Sequence, residues 1–260
     1  LRGGGCMALG ILARRLGAAA WLLACVALLA GCAAPTPPRG SVHEGSVAFG
    51  TRVVPLPPGP WTVLSDEERR GQMADGPALT IRSIMLVQEK DGRATGIIRA
   101  TVPDAYAQGV QYLPGRIAGC LNDGSNLRPA VVDVGQRHFD CRRIVMWARA
   151  AVAGPALPDD WKVLLDRQAA NPAFLPEAAP AVIYSLADGT GQFHVEVIFN
   201  PENRGLLRDT RNWSQNSWNT GNRTPQHLAY IARLADWAEA AHPAMRTGLA
   251  GRTPPPLPPF

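Results

Sequence analysis

The chain has 260 residues, of which 46% are hydrophobic, and a formal charge of +5 at pH 7. Arg2, Arg14 and Arg15 are the charged residues among the first 31, so the remainder of the chain carries only +2. Nucleic-acid-binding proteins need a concentrated basic patch, and this weak charge does not supply one, so we do not expect nucleic acid as a partner. The remaining length is sufficient for one domain with a real hydrophobic core.

The N-terminal residues have the three parts of a secretory signal, in the usual order. Arg14 and Arg15 are basic, residues 16–29 form an apolar run, and Ala30 and Gly31 are small. Met7 is the expected start of translation. We therefore predict that residues 1–31 are a signal peptide. The alternative is an uncleaved transmembrane helix, which the prolines from Pro35 onward would cut short.

The stretch Leu29-Ala30-Gly31-Cys32 resembles the lipobox of bacterial lipoproteins. This resemblance implies cleavage after Gly31, a diacylglyceryl group on the thiol of Cys32 and fatty acylation, for example by palmitate, of the new amino group. Two or more acyl chains anchor a protein stably to a membrane. Because the next residue, Ala33, is not Asp, the resemblance also favours the outer membrane, with the domain facing the periplasm.

Two cysteines remain in the mature chain after Cys6, Cys25 and Cys32 are set aside. In an oxidising periplasm, Cys120 and Cys141 most simply form one disulfide bond. His138 and Asp140 lie nearby, which leaves a mononuclear metal site as an alternative. Two cysteines at this spacing are an incomplete ligand set, so we predict neither a metal nor a cofactor.

Hairpins dominate the central part of the chain. The apolar runs 79–89 and 97–102 flank Asp91-Gly92, the strongest short hairpin signal. A second hairpin joins 182–186 to 192–199, where Phe193, Val195, Val197 and Phe199 should face the core. Three further strands are expected at 49–54, 61–64 and 139–147.

Helices are predicted at three places. Asp159 or Asp160 begins a helix that ends near Ala170, and residues 202–211 form a short, imperfect helix. Thr224-Pro225 begins a long helix that Pro243 should bound near residue 241 or 242. On either side of the single domain 49–247, we expect a flexible tether at 32–48 and a disordered proline-rich tail at 248–260.

These elements predict an α+β fold, with a mainly antiparallel sheet built from hairpins and packed against two or three helices. The segment Leu56-Pro57-Pro58-Gly59-Pro60-Trp61 before a strand resembles the fold shared by the photosystem accessory protein PsbP and Mog1. The body as a whole resembles proteobacterial envelope lipoproteins, a class that implies no particular activity.

His194 and Glu196 are the first candidate site. They lie two residues apart on the polar side of a predicted strand, so their Cβ atoms should be about 7 Å apart on one face. Such a pair binds a metal or moves a proton when a third group completes it, and His138 or His227 are the candidates for that group. The alternative is an ordinary solvated or helix-covered face.

The second candidate is the segment 200–205 together with the stretch 211–219, which contains Trp213, Asn216 and Trp218. Tryptophan rings with neighbouring amides are typical of surfaces that bind carbohydrate or peptide. The alternative is that both rings pack in the core while the amides cap turns.

The sequence has none of the nucleophile-elbow, phosphate-binding, dinucleotide or zinc-protease motifs. We therefore expect a lipid-anchored, non-catalytic binding domain whose partner is an envelope protein or a cell-wall glycan. The alternatives are a periplasmic hydrolase that uses His194 and Glu196, and a purely structural lipoprotein.

Overall fold

Eight antiparallel strands make one large sheet in the computed structural model of this protein. The structure describes residues 36–72, 78–103, 120, 124–135, 138–148, 159–188 and 191–260. Within these ranges the fold is α+β, as predicted: the large sheet, a separate two-stranded sheet and two helices. The signal peptide and Cys32 lie outside the described residues.

The strands are numbered β1 to β10 in chain order. Their bounds are β1 Val42–His43, β2 Ser46–Phe49, β3 Arg52–Pro55, β4 Trp61–Gln72, β5 Ala78–Lys90, β6 Arg93–Pro103, β7 Val131–Val134, β8 Phe139–Ala148, β9 Ala178–Asp188 and β10 Gly191–Phe199. The large sheet has the order β1-β4-β5-β6-β10-β9-β8-β7, and β2 pairs with β3. Both predicted hairpins, β5–β6 and β9–β10, are confirmed.

Helix α2, Pro225–Leu249, covers one face of the large sheet. Its buried residues recur every three or four positions, which is the spacing of one helix face. They pack on Phe193, Val195, Val197 and Phe199 of β10, which are the four residues predicted to face the core. Tyr184 fixes the helix further, because its hydroxyl donates to the carbonyl of Ala238 at 2.9 Å.

Helix α1, Asp159–Ala170, lies on the opposite face and has the predicted bounds. Trp161 and Leu164 are buried there in a second apolar cluster, where Trp161 stacks on Trp147 of β8 with ring centroids 5.9 Å apart. This cluster occupies only part of the face. Polar residues of the same face form the first candidate site, and Cys120, Phe139, Cys141 and Ala187 form a third, smaller apolar cluster.

The end predicted for the long helix is wrong. Pro243 lies inside α2, which continues to Leu249. A proline inside a helix costs about 3 kcal/mol. The helix continues because Ala244, Met245 and Leu249 extend its buried face beyond the proline.

Three local predictions are also wrong because glycine or an edge strand decides the conformation. Gly50, at φ 61°, turns the chain, so 49–54 is not one strand but the end of β2, a turn at 50–51 and the start of β3. Gly205, at φ 83°, ends a short 3-10 helix at Pro201–Arg204, so no helix spans 202–211. Strand β4 continues to Gln72 instead of ending at residue 64.

Both flanking segments belong to the fold, contrary to the prediction of a flexible tether and a disordered tail. Val42 pairs with Thr62 of β4, and Val47 is buried, so the described part of 32–48 is ordered by strand pairing. In the tail, Leu257 is only 3% exposed, because it packs into the main apolar core. The described residues from 36 to 260 belong to one compact unit.

The Cys120–Cys141 disulfide is present, with the two Cα atoms 6.3 Å apart, and this prediction is confirmed. It ties Cys120 to strand β8 in the sheet. Among the described residues, none of the helices has the length and apolar character needed to cross a bilayer.

Candidate functional site

A row of polar residues crosses the centre of the sheet on the face that carries α1. The strand register places Ser83, Thr101, His194 and Ser185 directly opposite one another on β5, β6, β10 and β9. The hydroxyls of Ser83 and Thr101 are 3.1 Å apart, and Ser185 Oγ lies 2.9 Å from His194 Nδ1. Hydrogen bonds between neighbours therefore satisfy these buried polar groups inside the sheet.

A second row of polar residues lies on the same face, two residues further along strands β6 and β10. Glu196 is directly opposite Arg99 on β6, and Arg99 Nε donates to Asp160 Oδ2 at 2.6 Å. Asp160 is in the first turn of α1 and is completely buried. The structure therefore places His194 and Glu196 on one face, as the strand period predicts, and surrounds them with Ser185, Thr101 and Arg99.

Ser185 and His194 have the donor–acceptor contact of a nucleophile and its base. Their surroundings do not favour acyl transfer. Ser185 is buried, and both residues belong to paired strands whose backbone groups form the sheet ladder. An oxyanion needs preorganised donors that are not already bonded. The arrangement is chemically suited to fixing the sheet centre and to relaying a proton, and less suited to hydrolysis.

The two histidines considered as a third ligand beside His194 and Glu196 lie in other parts of the fold. His227 is in the first turn of α2, where its Nδ1 is 2.7 Å from Thr224 Oγ1. His138 pairs with Asp133 of β7 at 3.1 Å. In the part of the chain that the structure describes, no group of three histidine, cysteine or carboxylate side chains could hold a metal ion.

The second candidate site is an ordered loop, residues 209–219, that is organised around Asp209. The Asp209 carboxylate accepts hydrogen bonds from the Arg211 side chain and from the backbone N–H groups of Arg211 and Ser217. These bonds, led by the one from Arg211, hold the pKa of Asp209 well below its usual value, although burial opposes them. The side chain is therefore charged at neutral pH and acts as a strong acceptor.

Two asparagines complete this loop. Asn216 donates from Nδ2 to the carbonyl of Asp209 at 2.9 Å and accepts from the backbone N–H of Trp218 at 2.9 Å. Asn222 donates to the carbonyls of Ser214 and Asn216 at 2.9 and 3.0 Å. Side-chain bonds of this kind fix a backbone that has no regular secondary structure.

The two predicted tryptophans have different environments. Trp218 is 3% exposed, and its ring makes edge contacts with His227 and Tyr230 at centroid distances of 4.5 and 5.7 Å. Trp213 is 45% exposed. The neighbouring side chains of Asn212, Ser214 and Gln215 are exposed as well. Trp218 and Asn216 therefore support the loop, while Trp213 is presented on it.

Sequence reasoning did not identify Asp209, Asn222, Arg99, Asp160 or Ser185 as part of these sites. Asp209 with Asn212, Ser214, Asn216 and Ser217 soon after it is a local turn signal, and it would have indicated an ordered loop. The other partners depend on strand register or on the position of α1. The sequence contains no local signal for either.

No protein-family model, curated protein or solved structure matches this chain. The resemblance to bacterial lipoproteins and the fainter one to the PsbP and Mog1 fold therefore stay predictions.

Proposed function

We propose that this chain is a lipid-anchored protein of the bacterial cell envelope whose domain binds a cell-wall glycan without catalysing a reaction. The observation that carries the binding role is Trp213, an exposed tryptophan on a loop fixed by Asp209, Asn216 and Asn222. The ring offers an apolar surface for a sugar face, and the exposed amides and hydroxyl beside it offer hydrogen bonds.

A fixed loop favours binding for an energetic reason. Ordering a loop on association costs free energy for each immobilised group, and that cost is avoided when the loop is already ordered. Trp213 is also of the residue type that most often dominates a binding surface, since tryptophan is enriched among residues whose substitution by alanine costs the most binding free energy.

The direct test is co-sedimentation of the detergent-solubilised full chain with purified cell-wall sacculi. Trp213→Ala should weaken binding about tenfold, which corresponds to about 1.4 kcal/mol. Leu207→Ala is the matched control, because Leu207 is an 88% exposed apolar side chain of the same segment. Equal binding by wild type and Trp213→Ala would refute the role of the loop.

A protein partner is the other outcome of this experiment. In vivo cross-linking of the same variants separates the two, because a discrete cross-linked protein that is lost with Trp213→Ala but retained with Leu207→Ala would replace the glycan by a protein. If neither sacculi nor a cross-linked protein depends on Trp213, the chain has a structural role or acts through another surface.

The anchor has its own test. Metabolic labelling with radioactive palmitate should label the wild-type protein and leave Cys32→Ser unlabelled. Label that persists in the variant would show that Cys32 is not the site of lipidation.

One observation favours a second candidate, a hydrolase that uses His194 and Glu196: the 2.9 Å contact between Ser185 Oγ and His194 Nδ1. The test is hydrolysis of chromogenic acetyl esters and of purified cell-wall fragments. Activity that is lost in both Ser185→Ala and His194→Gln, while both variants remain folded, would establish this function. Activity unchanged in both would remove it.

A further inference from the structure

A proline-rich segment of the chain, residues 254–260, is bound in an aromatic cradle on the domain itself. The cradle consists of Phe199 at the end of β10 and Tyr230 and Trp237 of α2. The Phe260 ring stacks on Phe199 with centroids 4.4 Å apart, and it meets Tyr230 and Trp237 edge-on at 5.3 and 6.4 Å. Leu257 is buried beside it in the main core.

A polar contact fixes the backbone of this segment. Trp237 Nε1 donates to the carbonyl of Pro258 at 2.9 Å. The guanidinium groups of Arg204 and Arg233 lie 5.3 and 5.1 Å from the Phe260 ring centre, within the range of cation–π contacts. Together these contacts reproduce the general mode by which proline-rich peptides dock: an aromatic groove, ring packing and few donors to proline carbonyls.

The cradle is also held together by contacts that do not involve the bound segment. Tyr230 donates its hydroxyl to the carbonyl of Phe199 at 2.8 Å, and Phe199 and Trp237 make an edge contact with centroids 4.8 Å apart. A site with such internal contacts keeps its shape when its occupant leaves, which lowers the cost of binding another one.

An open groove of about 930 Å³ adjoins the bound segment. Its walls include Pro57, Pro58, Gln88, Asn203 and Phe260. The segment up to Phe260 lines this groove. A longer proline-rich peptide in the same cradle would extend into it and contact the proline rings and amide groups of its walls.

We infer that this cradle is a docking site for proline-rich peptides that contain an aromatic residue, of the pattern Pro-Leu-Pro-Pro-Phe. Residues 254–260 of the same chain occupy the site. A partner that carries such a peptide binds by displacing them. The inference is independent of the function proposed for the loop 209–219. It rests on different residues, and Trp213→Ala should leave it unaffected.

The bound segment competes strongly with a free peptide because both belong to the same site and the segment is tethered to it. A tethered segment is present at an effective concentration of about 1 mM. A free peptide that binds the open cradle with a Kd of about 10 µM would then bind the wild-type chain about 100-fold more weakly. The occupied cradle thus selects for partners that also use the groove.

The test is titration of a synthetic peptide with the sequence of residues 253–260, followed by tryptophan fluorescence and calorimetry. Leu257→Ala/Phe260→Ala weakens the bound segment while it preserves the length of the chain. The peptide should bind this variant about 100-fold more tightly than it binds wild type. A control peptide with alanine in place of its leucine and phenylalanine should bind neither. A folded variant that fails to bind the peptide at 1 mM would overturn the inference.

A second measurement decides the matter if the double variant does not fold. Wild-type chain with fluorinated phenylalanine reports on Phe260 by fluorine NMR, and Phe260→Tyr assigns the signal. Peptide at several millimolar should move this resonance to the position of a solvent-exposed ring. A resonance that does not move would show that the segment is a permanent part of the core. A mass that doubles with protein concentration would also contradict the inference, because the occupant would then be a second copy of the chain.

Discussion

Arg99 and Asp160 form a buried ion pair that joins the centre of the sheet to the first turn of helix α1. The Arg99 side chain is 10% exposed and that of Asp160 is fully buried, with Nε and Oδ2 2.6 Å apart. Arg99 is also directly opposite Glu196, so the pair positions the polar face on which the first candidate site lies. Two buried charges of this kind depend strongly on each other.

Asp160→Asn should lower the free energy of unfolding by about 3–5 kcal/mol, because it removes the carboxylate that accepts from Nε of the buried Arg99 guanidinium. Urea denaturation measures this change. Asp159→Asn is the matched control, since Asp159 lies in the same turn and pairs with Lys162 at the surface. Its effect should be much smaller, because an exposed ion pair contributes little to stability. Equal losses in both variants would mean that the pair contributes no more than a surface contact.

Gly96→Ala should destabilise the sheet, because the space beside Gly96 is filled by an aromatic ring. A Cβ atom at this position would lie 2.6 Å from Cη2 of Trp61, which is completely buried. Forcing a buried ring to move costs about 1–3 kcal/mol.

Gly221→Ala is the control for this substitution, since a Cβ atom there has open space and its backbone is not left-handed. The midpoints of thermal unfolding compare the two variants. Midpoints of Gly96→Ala and Gly221→Ala that coincide would contradict the packing described for Trp61.

Local signals in the sequence were sufficient for the two hairpins and for helix α1. Asp91 and Gly92 both adopt positive φ, at 52° and 72°, which is the conformation that an Asp-Gly hairpin turn requires.

The predicted length of strand β4 is too short because charged residues occupy positions 66–70, and such residues disfavour strands in general. They are tolerated here because β1 covers only the first two residues of β4, so the rest lies at a sheet edge.

The remainder required long-range information. Whether Pro254 to Phe260 leave the fold or pack on it depends on Phe199 and Trp237, which are distant in sequence and come together only through the sheet and α2. In the same way, the placement of His194 beside Ser185 and Thr101 follows from strand register. A shift of β10 by one residue would move the His194 side chain to the other face, away from Ser185 and Thr101.

The disulfide between Cys120 and Cys141 should stabilise the domain by constraining the unfolded chain. The two cysteines are 21 residues apart, and closing a loop of this size contributes about 3 kcal/mol in the chain-entropy model. The free energy of unfolding of Cys120→Ala/Cys141→Ala, measured by urea denaturation, should therefore be lower than that of wild type by this amount. Reductant should destabilise wild type but not the variant. Alkylation before reduction that modifies both cysteines in native protein would contradict the bond.

Protonation of His227 should make the protein less stable at mildly acidic pH. Burial lowers the pKa of His227 below 6.5; Arg223 lowers it further, while Asp209 opposes the change. In the unfolded chain this imidazole takes up its proton near pH 6.5. At that pH the unfolded state therefore binds more protons, and the free energy of unfolding must fall as the pH decreases. The decline from this residue ends once the pH is below the pKa of His227 in the folded state.

His227→Gln isolates this contribution, because glutamine is neutral throughout and suits the third position of a capped helix. Urea denaturation of both proteins between pH 8 and pH 5 gives the comparison. The stability of wild type relative to the variant should decrease as the pH falls through 6.5, and the imidazole should titrate below that value by NMR. If the stability of wild type relative to the variant instead increases toward low pH, His227 is charged in the folded protein. Its edge contact with Trp218 would then be a contact with a cation.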